Sequence, residues 1–421
     1  MNIDLEKLQQ NWQKKRIAIL GFGKEGRDTF LFLRKLFPKK VIGIADRRES
    51  LKLKAQSAKS QLETEDFKNI KWHTGIDYLK ELKDYDVIIK SPGIPFKVLP
   101  KSQLTKITTQ TEIFFNNCPG TIVGITGTKG KSTTAFWIYQ TLKKGGIKAY
   151  LLGNIGRPVL GLLSKAEKKD VFVYELSSHQ LYSLRKSPQI AVFLNIYPEH
   201  LDYYRNFAEY VRAKANITKH QNSKDYLIYN SEDITVKKII KKSKAKKIPI
   251  KGKYYELNEA ASAAVAGIFK VPVLKRFKTL PHRLEYVGNF KGIEFYNDSL
   301  STVPETTIEA LDFLGSRVET LVLGGFDRKL DFKDLAKRIE KSRVKNLILF
   351  PTTGKRIKKD IKKKNINHFF VKTMREAVKI AYGRTDKGKI CLLSPASPSF
   401  GIFKDYADRG EQFKRFVKML K

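Results

Sequence analysis

The 421-residue sequence has two cysteines, Cys118 and Cys391, and no CxxC pair. That excludes a disulfide framework and makes the cytoplasm the expected setting. No apolar run approaches the ~18 residues that a membrane span needs, so a membrane protein is excluded and no membrane partner is expected. The start, Met1-Asn2-Ile3-Asp4-Leu5-Glu6, lacks a basic segment followed by an apolar one, so no signal peptide is expected. Internal repeats and low-complexity tracts are absent. Acidic residues are scarce: 42 Asp plus Glu stand against 82 Lys plus Arg, a formal net charge of +40. Apolar residues are not scarce, at 41%, which excludes a disordered chain. The length suggests roughly two to four domains.

A charge of +40 has two readings. One is a nucleic-acid binder. The other is a chain-wide lysine bias on solvated faces, and the dispersion of the lysines favours it. Local clusters occur at 237–247 and 358–364, and the first reads as an amphipathic helix with a basic solvent face. A nucleic-acid partner is therefore not expected, whereas attraction of anionic small molecules is.

Apolar strands alternate with helical patterns from the start, which predicts an α/β chain with parallel sheets. Strands are predicted at 16–20, 41–45 and 86–89, with an amphipathic helix through Phe30, Leu31, Leu33 and Leu36. A second α/β unit opens at 121–126, with strands at 171–174 and 190–194 and a small-residue helix at 260–266. Pro272 and Pro281 bracket a linker. A third unit has strands at 320–323, 346–350 and 390–393 and ends in a helix built on Phe413, Phe416 and Leu420.

The strongest motif is Gly124-Ile125-Thr126-Gly127-Thr128-Lys129-Gly130-Lys131-Ser132-Thr133, between a strand and a helix. Glycines let backbone N–H groups converge on phosphate, and the helix N-terminus adds partial positive charge. Lys131 would reach the β- and γ-phosphates and Ser132 would hold Mg²⁺. Ile125 stands where the general pattern has its first glycine. A glycine-rich structural turn is the plainer alternative. Gly21-x-Gly23-x-x-Gly26 after a strand, with Asp46 further on, matches a dinucleotide fingerprint. It fits NAD, another nucleotide or a tight turn. Glu175 ends a buried strand, where a carboxylate is costly unless paired or on a metal. His200 follows another strand. Both are candidate Mg²⁺ ligands beside Lys131 and Ser132.

These motifs, with Asn154-Ile155-Gly156, Glu199-His200-Leu201-Asp202, Pro281-His282-Arg283, Asn297-Asp298-Ser299 and Leu393-Ser394-Pro395-Ala396, occur in the order found in the Mur ligases. The chain resembles this family over essentially its whole length, and among its members those that add glutamate to UDP-N-acetylmuramoyl-L-alanine in peptidoglycan synthesis. The resemblance implies three α/β domains: a Rossmann-like UDP-substrate domain at 1–115, a central ATP-binding phosphate-loop domain at 116–278, and a Rossmann-like glutamate-ligase domain at 279–421. Hinges would lie near 116–120 and 271–281, and a monomer is expected.

The resemblance also implies roles for residues. Gly127, Thr128, Gly130, Lys131, Ser132 and Thr133 would hold ATP, with Asn258 on the adenine side and Arg283 and Asp298 contacting ATP on closure. Ser132, Glu175 and His200 would bind Mg²⁺, His200 as ligand and not base. Lys214 matches a lysine that the family carbamylates, giving an anion that helps bind a second Mg²⁺. Lys131, His200 and Lys214 would thus surround the reacting atoms. Gly21, Phe22, Gly23, Asp46 and Arg47, with Ser91 and Gly93, would hold the uridine diphosphate end. Asn154 and Ser177 would contact the muramoyl group. Thr302, Arg328, Ser399 and Tyr406 would form the glutamate pocket. The implied reaction phosphorylates the substrate carboxylate to an acyl phosphate, which the glutamate amine then attacks.

Most departures from the family pattern lie around that pocket, and Tyr255, where an asparagine is common, is a further one. Leu300 replaces a lysine in Asn297-Asp298-Ser299-Leu300-Ser301-Thr302, Arg328 stands for another lysine, and Tyr406 for a phenylalanine. Arg328 can still grip a carboxylate, with fork geometry in place of a point charge. D-glutamate is the expected amino acid, L-glutamate the alternative. Another member of the superfamily, such as a folylpolyglutamate synthase, is the runner-up, and a nucleic-acid-binding ATPase the reading from a different class.

Overall fold

Runs of three to seven residues, many of them aliphatic and β-branched, form the strands of three sheets. The structure is a computed structural model that describes residues 3–49, 69–153, 159–200, 203–252, 255–274 and 280–420. The chain divides into two compact units, 1–276 and 277–421.

The first unit carries two parallel sheets. β1 (Ile17–Leu20), β2 (Ile42–Asp46), β3 (Ile70–Thr74), β4 (Val87–Lys90) and β5 (Ile107–Thr109) lie in the order β3-β2-β1-β4-β5. β6 (Thr121–Thr126), β7 (Ala149–Gly153), β8 (Val171–Glu175), β9 (Ile190–Phe193), β10 (Tyr226–Asn230) and β11 (Lys246–Ile250) lie in the order β11-β10-β9-β6-β8-β7. Both orders reverse direction beside a central strand, β1 and β6. Such switch points open a crevice at the carboxyl ends of the strands, where ligands bind in open α/β sheets.

The two sheets share one hydrophobic core. The helix Gln110–Asn117 presents Phe114 to the second sheet, with ring centroids 5.4 Å from Phe172 and 5.7 Å from Tyr174. The expected boundary at 115/116 falls inside this helix. The one at 278/279 and part of the expected linker fall at 275–279, outside the described residues. The small-residue helix extends over Tyr255–Phe269 and packs on the helix Lys131–Lys144, where the Thr141 and Ser262 hydroxyls meet at 2.9 Å. The lysine cluster at 237–247 begins in the helix Ile234–Ile240, which buries Val236 and Ile240 and exposes Lys237 and Lys238.

The second unit has β12 (Glu285–Phe290), β13 (Ile293–Asn297), β14 (Val318–Gly324), β15 (Asn346–Phe350), β16 (Asn367–Phe370) and β17 (Ile390–Leu393). Their order is β12-β13-β17-β14-β15-β16, antiparallel only at the β12–β13 hairpin. Its switch point lies between β17 and β14. Among the described residues no helix is long and apolar enough to cross a membrane.

Phe114 is fully buried. Phe114→Ala should cost about 3–5 kcal/mol. Because the core is continuous, both sheets of the first unit should lose stability together in a denaturant titration. Separate transitions, with only the first sheet weakened, would contradict the shared core.

Candidate active site

β6 ends at Thr126 and the helix Lys131–Lys144 starts five residues on, so the intervening loop sits at the crevice of the second sheet. Gly130 caps that helix at φ 83°, and a Cβ there would come within 2.7 Å of Asn258 Oδ1. Only glycine suits that position. The loop is braced from outside. Thr128 N and Lys129 N donate to Asn195 Oδ1 at 3.0 and 2.8 Å, and Asn195 Nδ2 donates to Lys129 O at 3.2 Å. The Thr128 hydroxyl accepts from Tyr197 N and pairs with the Tyr210 hydroxyl, both at 2.9 Å. Asn258 Oδ1 accepts from Thr134 Oγ1 at 2.9 Å. Thr133 is buried in the first turn. Lys131 Nζ folds over the loop, donating to Gly127 O at 3.0 Å and Thr128 O at 2.9 Å. Asn195 and Tyr210 belong to no motif read from the sequence. The signal available for Asn195 is its place just after a buried strand, the same signal that marks Glu175.

Glu175 ends β8 opposite Ile125 of β6 and is 2% exposed. It accepts a hydrogen bond from Ser132 Oγ at 3.0 Å. Lys214 lies on the helix Phe207–Lys219, is also 2% exposed, and donates to Gly127 O at 2.7 Å. Its ammonium position is 5.0 Å from the Tyr210 ring centroid. Burial, and then the charge of Lys131, push the Lys214 amine well below the ordinary lysine range. His200 adopts φ 58°, with Nε2 3.7 Å from Glu199 Oε2 and its ring 4.8 Å from that of His179. Its side chain is 46% exposed. Among the described residues no group of three or more His, Cys, Asp and Glu is placed to hold a metal. The Ser132 hydroxyl and Glu175 carboxylate nevertheless fit Mg²⁺, a hard ion that takes few protein oxygens and completes its shell with phosphate and water. His200 is a softer donor, and Lys214 as an amine is a donor of protons, not of oxygen.

The first sheet holds a cavity of about 440 Å³ at the ends of β1 and β4. Gly21, Gly23, Asp46, Arg47, Ser91 and Gly93 line it. Phe22 does not: its ring is buried edge-on against Phe30 and Trp72, and only its amide reaches the site, donating to Asp46 Oδ2 at 2.8 Å. The side chain is apolar and turns inward, so the expected substrate contact of Phe22 can be made by backbone alone. Burial opposes ionisation of Asp46, but Arg48 Nη2 at 2.9 Å and the Phe22 amide outweigh it and hold its carboxyl below the usual range. Glu25 lines the cavity as well. Burial pushes its carboxyl up to about 7 against the opposing effects of the Gln180 hydrogen bond and the Lys90 charge. Lys90, itself buried, is pushed down to about 7. Asn154 lies outside the described residues. Ser177 caps the short helix Ser178–Leu181, its hydroxyl accepting from Gln180 N at 3.2 Å.

In the second unit the carboxyl ends of β13, β14 and β17 gather a separate group. Asp298 is 1% exposed and accepts from the Ser301 hydroxyl, from Ser394 Oγ at 2.8 Å and from Leu284 N at 3.1 Å. Burial raises its carboxyl, partly offset by Arg283. Arg283 meets Ser301 Oγ at 3.5 Å. Leu300 donates its amide to His282 O at 2.9 Å, and Thr302 follows half-buried. Arg328 is exposed, its guanidinium carbon 5.8 Å from the Phe400 ring centroid, next to buried Ser399. The Tyr406 carbonyl accepts from Ser299 Oγ at 2.7 Å. Arg409, which no motif marks, is fully buried and donates to Ser299 O at 2.8 Å and Ser397 O at 3.0 Å, clamping two of the loops.

Residues 125–289 match the Mur ligase middle domain, and residues 282–397 match the Mur ligase, glutamate ligase domain. A UDP-N-acetylmuramoylalanine–D-glutamate ligase of Acetivibrio thermocellus is 33% identical, with 100% of both chains covered. One of Clostridium botulinum is 32% identical at the same coverage. Among solved structures, the fold is similar to that of the MurF ligase from Thermotoga maritima in complex with ADP, with TM-score 0.59, 18% identity, and 98% and 97% of the two chains covered. The chain belongs to the Mur ligases, an ATP-dependent family of enzymes.

The raised Glu25 carboxyl gives a pH signature. The fold keeps this group protonated above the pH at which the unfolded chain releases it. Its favourable contribution is complete below about pH 4.5 and is lost as pH rises through about 7. Thermal melts from pH 4.5 to 8 should therefore show Glu25→Gln gaining stability relative to the parent chain up to about pH 7, then holding level. A difference independent of pH would contradict the assigned burial.

Proposed function

We propose that the protein is the cytoplasmic ligase that joins D-glutamate to UDP-N-acetylmuramoyl-L-alanine, with ATP and Mg²⁺, in peptidoglycan precursor synthesis. One observation carries this reading most: a braced phosphate loop with Lys131, and with Ser132 against buried Glu175, in a chain that matches D-glutamate ligases along its whole length. The three sheets would then serve the UDP substrate, ATP and glutamate in turn.

The uridine diphosphate end would enter the first cavity. There the N-terminus of the helix Lys24–Leu36 and the Arg47 side chain face its charge. The substrate carboxylate attacks the γ-phosphorus of ATP in line, and ADP leaves. The amine of glutamate then attacks the acyl carbon, phosphate departs, and the nitrogen loses a proton. Little covalent chemistry falls to the protein, so positioning and charge neutralisation dominate. Lys131 supplies a fixed cation at the transferred group. Ser132 and Glu175 would hold Mg²⁺, with His200 as a further ligand, and the ion would neutralise phosphate charge when bound. Lys214 sits against the loop with its amine shifted toward the neutral form, the form that can take up CO₂ to become a carbamate.

In the second unit Arg328 would grip a carboxylate of glutamate, with Thr302, Ser399 and Tyr406 around it, and Arg283 and Asp298 would reach ATP. L-glutamate is the second reading, favoured by Leu300 and Arg328 in place of lysines.

Phosphate release should require UDP-N-acetylmuramoyl-L-alanine, ATP and D-glutamate together. Release with L-glutamate alone would move the assignment to the second reading, and release with neither would overturn it. Lys131→Ala should lower kcat/KM by about 10²–10³-fold. Arg328→Ala should raise the KM for glutamate far more than that for ATP, and equal effects would remove it from the glutamate pocket.

A further inference from the structure

The cavity of the first sheet and the phosphate loop of the second are joined by more than a shared core. Gln180 closes the capping box of the helix Ser178–Leu181. Its Oε1 accepts from the Ser177 amide at 3.0 Å and the Ser177 hydroxyl at 3.1 Å. With the oxygen committed there, the amide NH₂ must face the other way. It donates to Glu25 Oε1 at 2.9 Å. Glu25 lines the cavity, in the turn that starts the helix Lys24–Leu36. Ser177 stands two residues beyond Glu175, whose carboxylate accepts from Ser132 of the phosphate loop. A continuous run of hydrogen bonds and short backbone therefore leads from the cavity to the loop.

A second tie runs beside it. The Tyr203 hydroxyl, three residues after His200, reaches Pro92 O at 3.0 Å and Ile94 O at 3.1 Å. Lys90 donates to the same Ile94 carbonyl at 2.7 Å and to Ser91 O at 2.9 Å. Each of these two ties thus fastens the cavity wall to a segment that follows a residue proposed for Mg²⁺, Glu175 in one case and His200 in the other. Gln180 is 3% exposed and Lys90 1% exposed. Buried polar groups of this kind lose their partner at a cost comparable to a full desolvation, so they move together or not at all.

We propose that Glu25 is a positioning residue: through Gln180 and Ser177 it makes the placement of Glu175 depend on whether the nucleotide-substrate cavity is filled, so that the two ligands bind cooperatively. This rests on the reading of that cavity as the UDP-substrate site. A ligand whose phosphates meet the helix start at Lys24 and Glu25 orders the Glu25 carboxyl, Gln180 follows, and the cap at Ser177 holds the end of β8 in register with Ser132. By reciprocity, nucleotide at the loop tightens the cavity for its substrate by the same factor.

Calorimetric titration of the full chain with a non-hydrolysable ATP analogue and Mg²⁺, with and without saturating UDP-N-acetylmuramoyl-L-alanine, tests this. The parent chain should bind the analogue about 5–50-fold more tightly when the UDP substrate is present. Glu25→Leu and Gln180→Leu should each bring that ratio close to one, and the double variant should lose no more than either. Glu25→Gln, which keeps a carbonyl oxygen for Gln180, should retain most of it. A structural effect alone would weaken analogue binding equally with and without substrate. An unchanged ratio in Glu25→Leu, or a ratio of one in the parent chain, overturns the inference. If UDP-N-acetylmuramoyl-L-alanine does not bind the parent chain at all, the functional reading falls, and this inference with it. Should Glu25→Leu not fold, Gln180→Leu carries the same comparison from the other side of the bond.

Discussion

The loop between β6 and the helix Lys131–Lys144 has no regular structure of its own and has to be held from outside. The rest of the second sheet follows from that constraint. Asn195, at the end of β9, takes the Thr128 and Lys129 amides and steadies the outer half of the loop. The Tyr210 hydroxyl and the Tyr197 amide fix the Thr128 side chain. The start of the helix Lys131–Lys144 is thereby aimed into the crevice with its dipole and its first-turn hydroxyl at Ser132. Glu175 is tolerable as a buried carboxylate because it meets that hydroxyl, and Lys214 is tolerable as a buried amine because Gly127 O accepts from it.

Electrostatics are concentrated in the same places. The +40 net charge is spread over many exposed lysines, whereas Lys131 and Lys214 converge on one loop. Burial, and then the charge of half-buried Lys131, shift the Lys214 amine toward its neutral form. In the first cavity Asp46 remains ionised against Arg48, while Glu25 and Lys90 are both drawn toward neutrality.

Much of this was legible in the sequence, and the exceptions have physical causes. Buried central strands such as β1 and β17 are continuous apolar runs, and β6, β8 and β14 contain apolar runs of three or four residues, so they stand out. Edge strands do not. β3 carries Lys71 and His73, β11 opens with Lys246 and Lys247 and contains Pro249, and β16 has two exposed residues among its four. The glycine-rich turns and Lys131, Ser132 and Glu175 were legible because each residue type has a chemical reason to sit there. That Phe22 offers its backbone and not its ring is not legible, because membership in a loop does not say which way a side chain turns. Tyr210 and Arg409 were illegible for a related reason. They brace loops that are distant in sequence, and only the fold brings them there.

On the proposed function, a carboxylate is activated by phosphoryl transfer at the Lys131 loop before an amide forms. UDP-N-acetylmuramoyl-L-alanine labelled with ¹⁸O in its terminal carboxylate tests it most directly. With ATP and D-glutamate, mass spectrometry of the released phosphate should find one labelled oxygen for every amide bond formed. Amide formation with unlabelled phosphate, the carboxylate oxygen leaving in water instead, would contradict this order of steps.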